Sequence, residues 1–151
     1  MVTPALPATM TDDFYADPEV CQAILMDYYK NPHCSGVCEP TTHAAEATNP
    51  ACGDIVKLSF QIENDYIIQA RTTGAGCAVS QASASLLAEQ LQGKTLTEAS
   101  VLLSEFNNLL AGRESNPDIL DLLFALQVIR ANPARVCCAK VAAKAAIAAL
   151  K

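Results

Sequence analysis

From Pro18 to Tyr29 the apolar residues recur at helical spacing. Val20, Ile24 and Tyr28 fall every fourth residue, with Cys21 and Leu25 beside them, which makes one apolar face. Asp17-Pro18 supplies a capping residue and a first-turn proline, and Asn31-Pro32 ends the helix. From His33 to Pro50 no period holds, and the stretch reads as a loop. The period then changes to two. Val56, Leu58, Phe60 and Ile62 face one way and Lys57, Ser59, Gln61 and Glu63 the other, the pattern of a half-buried strand over Ile55 to Glu63. Asn64-Asp65 marks a turn, and Tyr66 to Thr73 reads as the returning antiparallel strand. Gly74-Ala75-Gly76-Cys77 breaks the sheet, and Ser80 to Leu91 is helical. Thr95-Leu96-Thr97-Glu98 is a capping box. It opens a helix whose face carries Ala99, Leu102, Leu103, Phe106, Leu109 and Leu110, closed by Gly112. Asn116-Pro117 starts a helix reaching Ile129, and Asn132-Pro133 starts the last, Pro133 to Leu150.

Strands followed by helices predict an α+β fold: a small antiparallel sheet of about three strands with helices packed on one face. The 151 residues suit one domain over 14–151, preceded by a flexible tail over 1–13. Composition narrows the function. A net charge of −6 argues against a nucleic-acid partner, because phosphate binding needs clustered Lys and Arg. No run approaches the roughly 20 apolar residues that span a bilayer. The start does not read as a secretory signal, so the expected compartment is the cytoplasm. Seven cysteines in a reducing compartment favour metal binding or catalysis over disulfides.

Asn49-Pro50-Ala51-Cys52-Gly53-Asp54 carries the sharpest chemistry. Residues two apart in an extended chain share a side, so Cys52 and Asp54 can face one point. A soft sulfur and a hard oxygen there suggest a mixed metal site. Cys77 lies at the far end of the predicted hairpin, and a chain that runs out and back returns to the same sheet edge. Cys137 and Cys138 follow the helix start at Asn132, where partial positive charge favours a thiolate. Neighbours on a helix point about 100° apart, so periodicity leaves open which of the two faces inward. Cys21, on an apolar helix face, reads as a small core residue. Cys34 and Cys38 form a C-x3-C pair that could bind zinc or do nothing, and His33 and His43 beside them read as solvated.

Several motifs in series then resemble one family. They are Asp27-Tyr28-Tyr29-Lys30-Asn31-Pro32 with Gly36, the 49–54 motif, the run from Gly74 to Ser85, Gly93-Lys94, and Pro133 to Ala139. Together they resemble the U-type iron–sulfur cluster assembly proteins, the IscU, SufU and NifU N-terminal group. The resemblance implies a site of Cys52, Asp54, Cys77 and Cys138 holding an iron–sulfur cluster, of [2Fe–2S] type, or Zn2+. It also implies a cysteine desulfurase as sulfur source and apo-proteins as recipients. The long segment ahead of Cys138, with Arg135 three residues before it, is SufU-like. Cys137 departs from the family, which has histidine or lysine there, and so stands as a possible extra ligand.

Two activities follow from the resemblance. A scaffold would assemble a cluster on Cys52, Cys77 and Cys138, with Asp54 as a deliberately weak ligand that eases release. A zinc-dependent sulfurtransferase would instead accept persulfide sulfur on Cys52, with Arg135 supporting Asp54. Cys137, a further soft ligand, favours the scaffold.

Overall fold

The computed structural model describes residues 17–150, so the expected tail over 1–13 lies outside the described residues. Helix α1 spans Pro18–Lys30, with the Asp17 side chain accepting from the Glu19 N–H at 2.9 Å. Strands β1 (His43–Asn49), β2 (Asp54–Glu63) and β3 (Tyr66–Ala75) form one antiparallel sheet in the order β1-β2-β3. Helices α2 (Ala78–Leu91), α3 (Leu96–Leu110), α4 (Pro117–Leu120) and α5 (Pro133–Leu150) follow. A 3-10 segment, Asp121–Ile129, joins α4 to α5.

The α+β expectation holds, with two corrections. The stretch read as a loop from His33 to Pro50 contains β1, which pairs with β2 from His43↔Phe60 to Asn49↔Asp54. The 49–54 motif, which leads into β2, is therefore also the tip of the β1–β2 hairpin. The helix expected from Asn116 to Ile129 is broken. The Asn116 cap forms, but Asp121 takes φ 51°, and the nine residues from Asp121 to Ile129 wind as 3-10. That segment is apolar on nearly every side, and its Leu123, Ala125, Leu126 and Ile129 are buried. Packing rather than helical propensity sets its conformation.

The remaining elements follow the pattern. Val56, Leu58 and Phe60 are fully buried on the inner sheet face, against which α5 and α2 pack. Each such side chain contributes about 1.5–3 kcal/mol on burial. Thr95 and Glu98 complete the capping box of α3 from both sides, at 3.0 and 3.1 Å. Both hairpins are tight, so the β1–β2 turn, the end of β3 and the starts of α2 and α5 gather at one end of the molecule.

Candidate metal centre

The β1–β2 turn is closed by the Cys52 N–H, which donates to the Asn49 carbonyl at 3.2 Å. Gly53 takes φ 71°, a conformation that costs glycine nothing. The turn leaves Cys52 exposed and sends Asp54 inward, where it is fully buried. Cys77 caps the start of α2, half-exposed, and its N–H donates to Asp54 Oδ1 at 2.9 Å. The Ser80 hydroxyl reaches the same oxygen at 3.2 Å. Gly76 makes this approach possible: a Cβ there would overlap Asp54 Oδ1, and the backbone holds φ 142°. Gly74 is as tightly placed, since a Cβ would overlap the Ile55 carbonyl.

Cys138 arrives from α5. The Asn132 side chain caps that helix, accepting from the N–H groups of Ala134 and Arg135 at 3.1 and 3.4 Å. Cys138 is 4% exposed, and the Asn49 amide donates to its sulfur at 3.8 Å. The ligand atoms of Cys52, Asp54 and Cys138 all lie within 4.8 Å of one another. Among the described residues no other group of three or more His, Cys, Asp or Glu converges in this way.

Burial pushes the Cys138 thiol well above the usual range, and the neighbouring Asp54, Cys77 and Cys52 add to it. At Asp54 burial also pulls upward. Contacts from the Cys138 thiol, the Cys77 N–H, the Ser80 hydroxyl and the Cys77 thiol outweigh it, so the net direction is down. Cys77 thus touches both partners electrostatically, although its sulfur lies outside the 4.8 Å group.

Three thiols and a carboxylate crowd together here, and no ion pair among the described residues neutralises Asp54. Asp54 Oδ2 is buried with no hydrogen-bond partner of acceptable geometry. A buried carboxylate oxygen left unmatched is costly, and a cation bound at that oxygen would offset the cost. The residues therefore fit a thiophilic metal ion held by sulfur and one oxygen. A cleft of about 530 Å³ opens onto the site, lined by Cys52, Cys77 and Cys138 together with Met26, Val79 and Arg135.

Arg135 lies exposed at this cleft and makes no ion pair with Asp54. The structure leaves Cys137 outside. It is exposed, belongs to no ligand group and does not line the cleft. Cys34 and Cys38 are buried and belong to no group of three ligands, and the Cys38 thiol donates to the Ser59 carbonyl at 3.3 Å. His33 is engaged rather than merely solvated, with Nδ1 2.8 Å from Glu89 Oε1, while Tyr28 donates to the other Glu89 oxygen. His43 sits in β1, 2.9 Å from the Thr42 hydroxyl. Three supporting residues escaped the reading of the sequence: Asn49 on the Cys138 thiol, Ser80 on Asp54, and Gln81, whose amide donates to Ser80 at 3.1 Å. The signal available was their place inside the motifs that carry Cys52 and Cys77.

Fold and site together define an α+β domain with a thiol–carboxylate cluster at one end of its sheet that fits a metal ion. The sequence model of the NifU-like N-terminal domain matches residues 21–150, and the chain belongs to that family. It is 35% identical over 124 residues to the zinc-dependent sulfurtransferase SufU of Bacillus subtilis (strain 168), covering 81% of this chain and 83% of that one. It is 32% identical over 131 residues to the iron–sulfur cluster assembly scaffold protein IscU of Streptococcus pyogenes serotype M1, covering 85% and 81%. Among solved structures, a candidate iron–sulfur cluster assembly scaffold protein for the SUF system from Fervidobacterium islandicum AW-1 superposes with a TM-score of 0.81 at 34% identity, covering 85% of this chain and 94% of that one.

Proposed function

We propose that this chain is an iron–sulfur cluster assembly scaffold. It receives sulfur from a cysteine desulfurase, builds a cluster on Cys52, Asp54, Cys77 and Cys138, and passes it to apo-proteins in a reducing cytoplasm. The observation that carries this reading is the convergence of Cys52, Asp54 and Cys138 around a buried carboxylate oxygen with no partner. Its relatives include proteins described as IscU scaffolds, which supports the same process.

Iron and sulfide are cargo here. Thiolates suit cluster iron, and the single hard oxygen is the ligand most easily given up. The Cys77 N–H and the Ser80 hydroxyl hold Asp54 Oδ1, which leaves Oδ2 for the cargo. Exposed Cys52 gives the incoming sulfur access, while buried Cys138 anchors the inner side.

A second reading is favoured by two observations: Cys52 is exposed, and Cys137 adds no further thiol to the site. In it, Cys52, Asp54, Cys77 and Cys138 would hold zinc, which supplies positive charge that keeps the thiols ionised. The Cys52 thiolate attacks the outer sulfur of a persulfide on the desulfurase. A new S–S bond forms on Cys52, the old one breaks, and the partner cysteine departs as a thiolate.

Anaerobic reconstitution with iron and sulfide tests the proposal. The scaffold reading expects a visible cluster absorption and its transfer to an apo-ferredoxin. Failure to form a cluster, together with faster desulfurase turnover on adding the zinc-loaded, iron-free protein, would establish the second reading instead. Neither response would overturn both.

A further inference from the structure

We infer that the open end of the β3 edge is a docking site for an extended, uncharged segment of a partner protein, which adds there as a further strand. In an antiparallel ladder alternate residues turn their N–H and C=O groups to the same side. β3 pairs with β2 on one side, so its other side is an edge that must be capped. Most of it is. The Ile67 N–H donates to the Lys94 carbonyl, and its carbonyl accepts from the Gly93 N–H, both at 2.8 Å. The Ala70 N–H meets the Gln92 side chain at 3.2 Å, and the Arg71 guanidinium takes the Ala70 carbonyl at 2.8 Å. The Thr72 N–H meets the Cys34 carbonyl at 2.7 Å, and the Thr72 carbonyl accepts from the Gly36 N–H at 3.0 Å.

The next residue to turn outward on that side is Gly74. Among the described residues nothing caps it there, and Thr73, Gly74, Ala75 and Gly76 are all exposed. The loop that covers Thr72 has by then turned away over the outer sheet face, where the Cys38 N–H bonds the Ser59 hydroxyl at 3.0 Å.

A cleft of about 420 Å³ lies along this open end. Tyr29, Pro32 and Ser35 wall it opposite the strand, and Gln81 and Ser85 of α2 complete the lining. No lining residue carries a charge. A phosphate or carboxylate would find no counter-charge there, which selects against anionic ligands. The Ser85 hydroxyl is buried without a hydrogen-bond partner. An open N–H and C=O pair beside an unmatched hydroxyl calls for neutral donors and acceptors spaced as in a peptide backbone. The same Gly74–Gly76 segment backs the metal centre, since the Cys77 N–H that follows it holds Asp54. A strand added to Gly74 would therefore steady the loop that bears Cys77, which places the partner beside the site.

Backbone amide exchange and peptide titration by NMR test this on the full chain, in both metal-free and zinc-loaded forms, so that the result does not depend on the proposed activity. The probe is a blocked hexapeptide of Thr, Val and Ser, with an alternately N-methylated copy as control. Without peptide, the Gly74 amide should exchange at least roughly tenfold faster than the Thr72 amide. The peptide should shift Gly74 and Ser85 saturably and slow Gly74 exchange, while the N-methylated copy does neither. Tyr29→Ala should weaken peptide binding about fivefold with unchanged melting temperature. A Gly74 amide as protected as Thr72 at every protein concentration would overturn the proposal, as would the absence of saturable shifts. Protection that grows with protein concentration would assign the edge to a second copy of this chain and overturn it equally.

Discussion

Two sets of cysteines occupy this molecule, and their chemistry diverges. Cys21, Cys34 and Cys38 are buried outside any group of three ligands, Cys21 against Ala125 with Ile24, Phe124 and Val128 around it and the Gln127 side chain on its thiol. Cys52, Cys77 and Cys138 meet around a carboxylate. Burial alone does not separate the sets, because it raises the thiols of Cys21 and Cys34 as it raises Cys138. What separates them is company. A buried thiol outside a cluster of ligands packs as a small core residue. A thiol beside a carboxylate and two more thiols gains from a shared cation. Cys137 and Cys138 repeat the contrast in adjacent residues: a rotation of about 100° puts the first in solvent and the second at the carboxylate.

The largest break in this contrast comes from the ligands themselves. Cys52→Ser, Cys77→Ser and Cys138→Ser should each lose zinc or cluster, with affinity falling by more than the roughly 10–100-fold typical of a lost supporting group. Metal analysis of the purified variants checks this. Metal content in Cys77→Ser equal to the parent would remove Cys77 from the site. Asn49→Ala withdraws the amide from the Cys138 sulfur and should cost about tenfold in zinc affinity, measured by chelator competition.

Asp54→Ala acts on release rather than capture. Loss of the one hard ligand should slow cluster transfer to an apo-acceptor several-fold, read from the acceptor's absorption. Transfer as fast as in the parent would contradict the labile-ligand role. The smallest effects belong to the other set. Cys21→Ser should lower stability by no more than about 1 kcal/mol, because the Gln127 side chain that bonds the thiol can bond the new hydroxyl, and it should leave metal content unchanged. Cys137→Ala should alter neither metal content nor stability by more than about 0.5 kcal/mol, as for exposed positions generally.

The legible parts of the fold are those in which pattern and packing agree. The alternation over Val56 to Phe60 and the capping box at Thr95 and Glu98 appear as read. β1 was invisible because His-Ala-Ala-Glu-Ala-Thr-Asn has almost no strand propensity; only its pairing with β2 makes it a strand. The break at Asp121 is equally a product of packing, since a run apolar on all sides carries no helical period to interrupt. At the site, spacing brought Cys52, Asp54 and Cys77 to one edge. Periodicity left Cys137 and Cys138 equal, because the direction of a helix against the sheet is a tertiary property. Asn49 and Ser80 were hidden for the same reason: their partners lie 89 and 26 residues away.

X-ray absorption at the zinc edge of the zinc-loaded protein reads the ligand set itself. Three sulfurs at about 2.3 Å and one oxygen at about 2.0–2.2 Å are expected. Asp54→Ala should remove that oxygen, and Cys137→Ala should leave the spectrum unchanged. Four sulfurs in the parent, falling to three in Cys137→Ala, would place Cys137 on the metal and contradict the account.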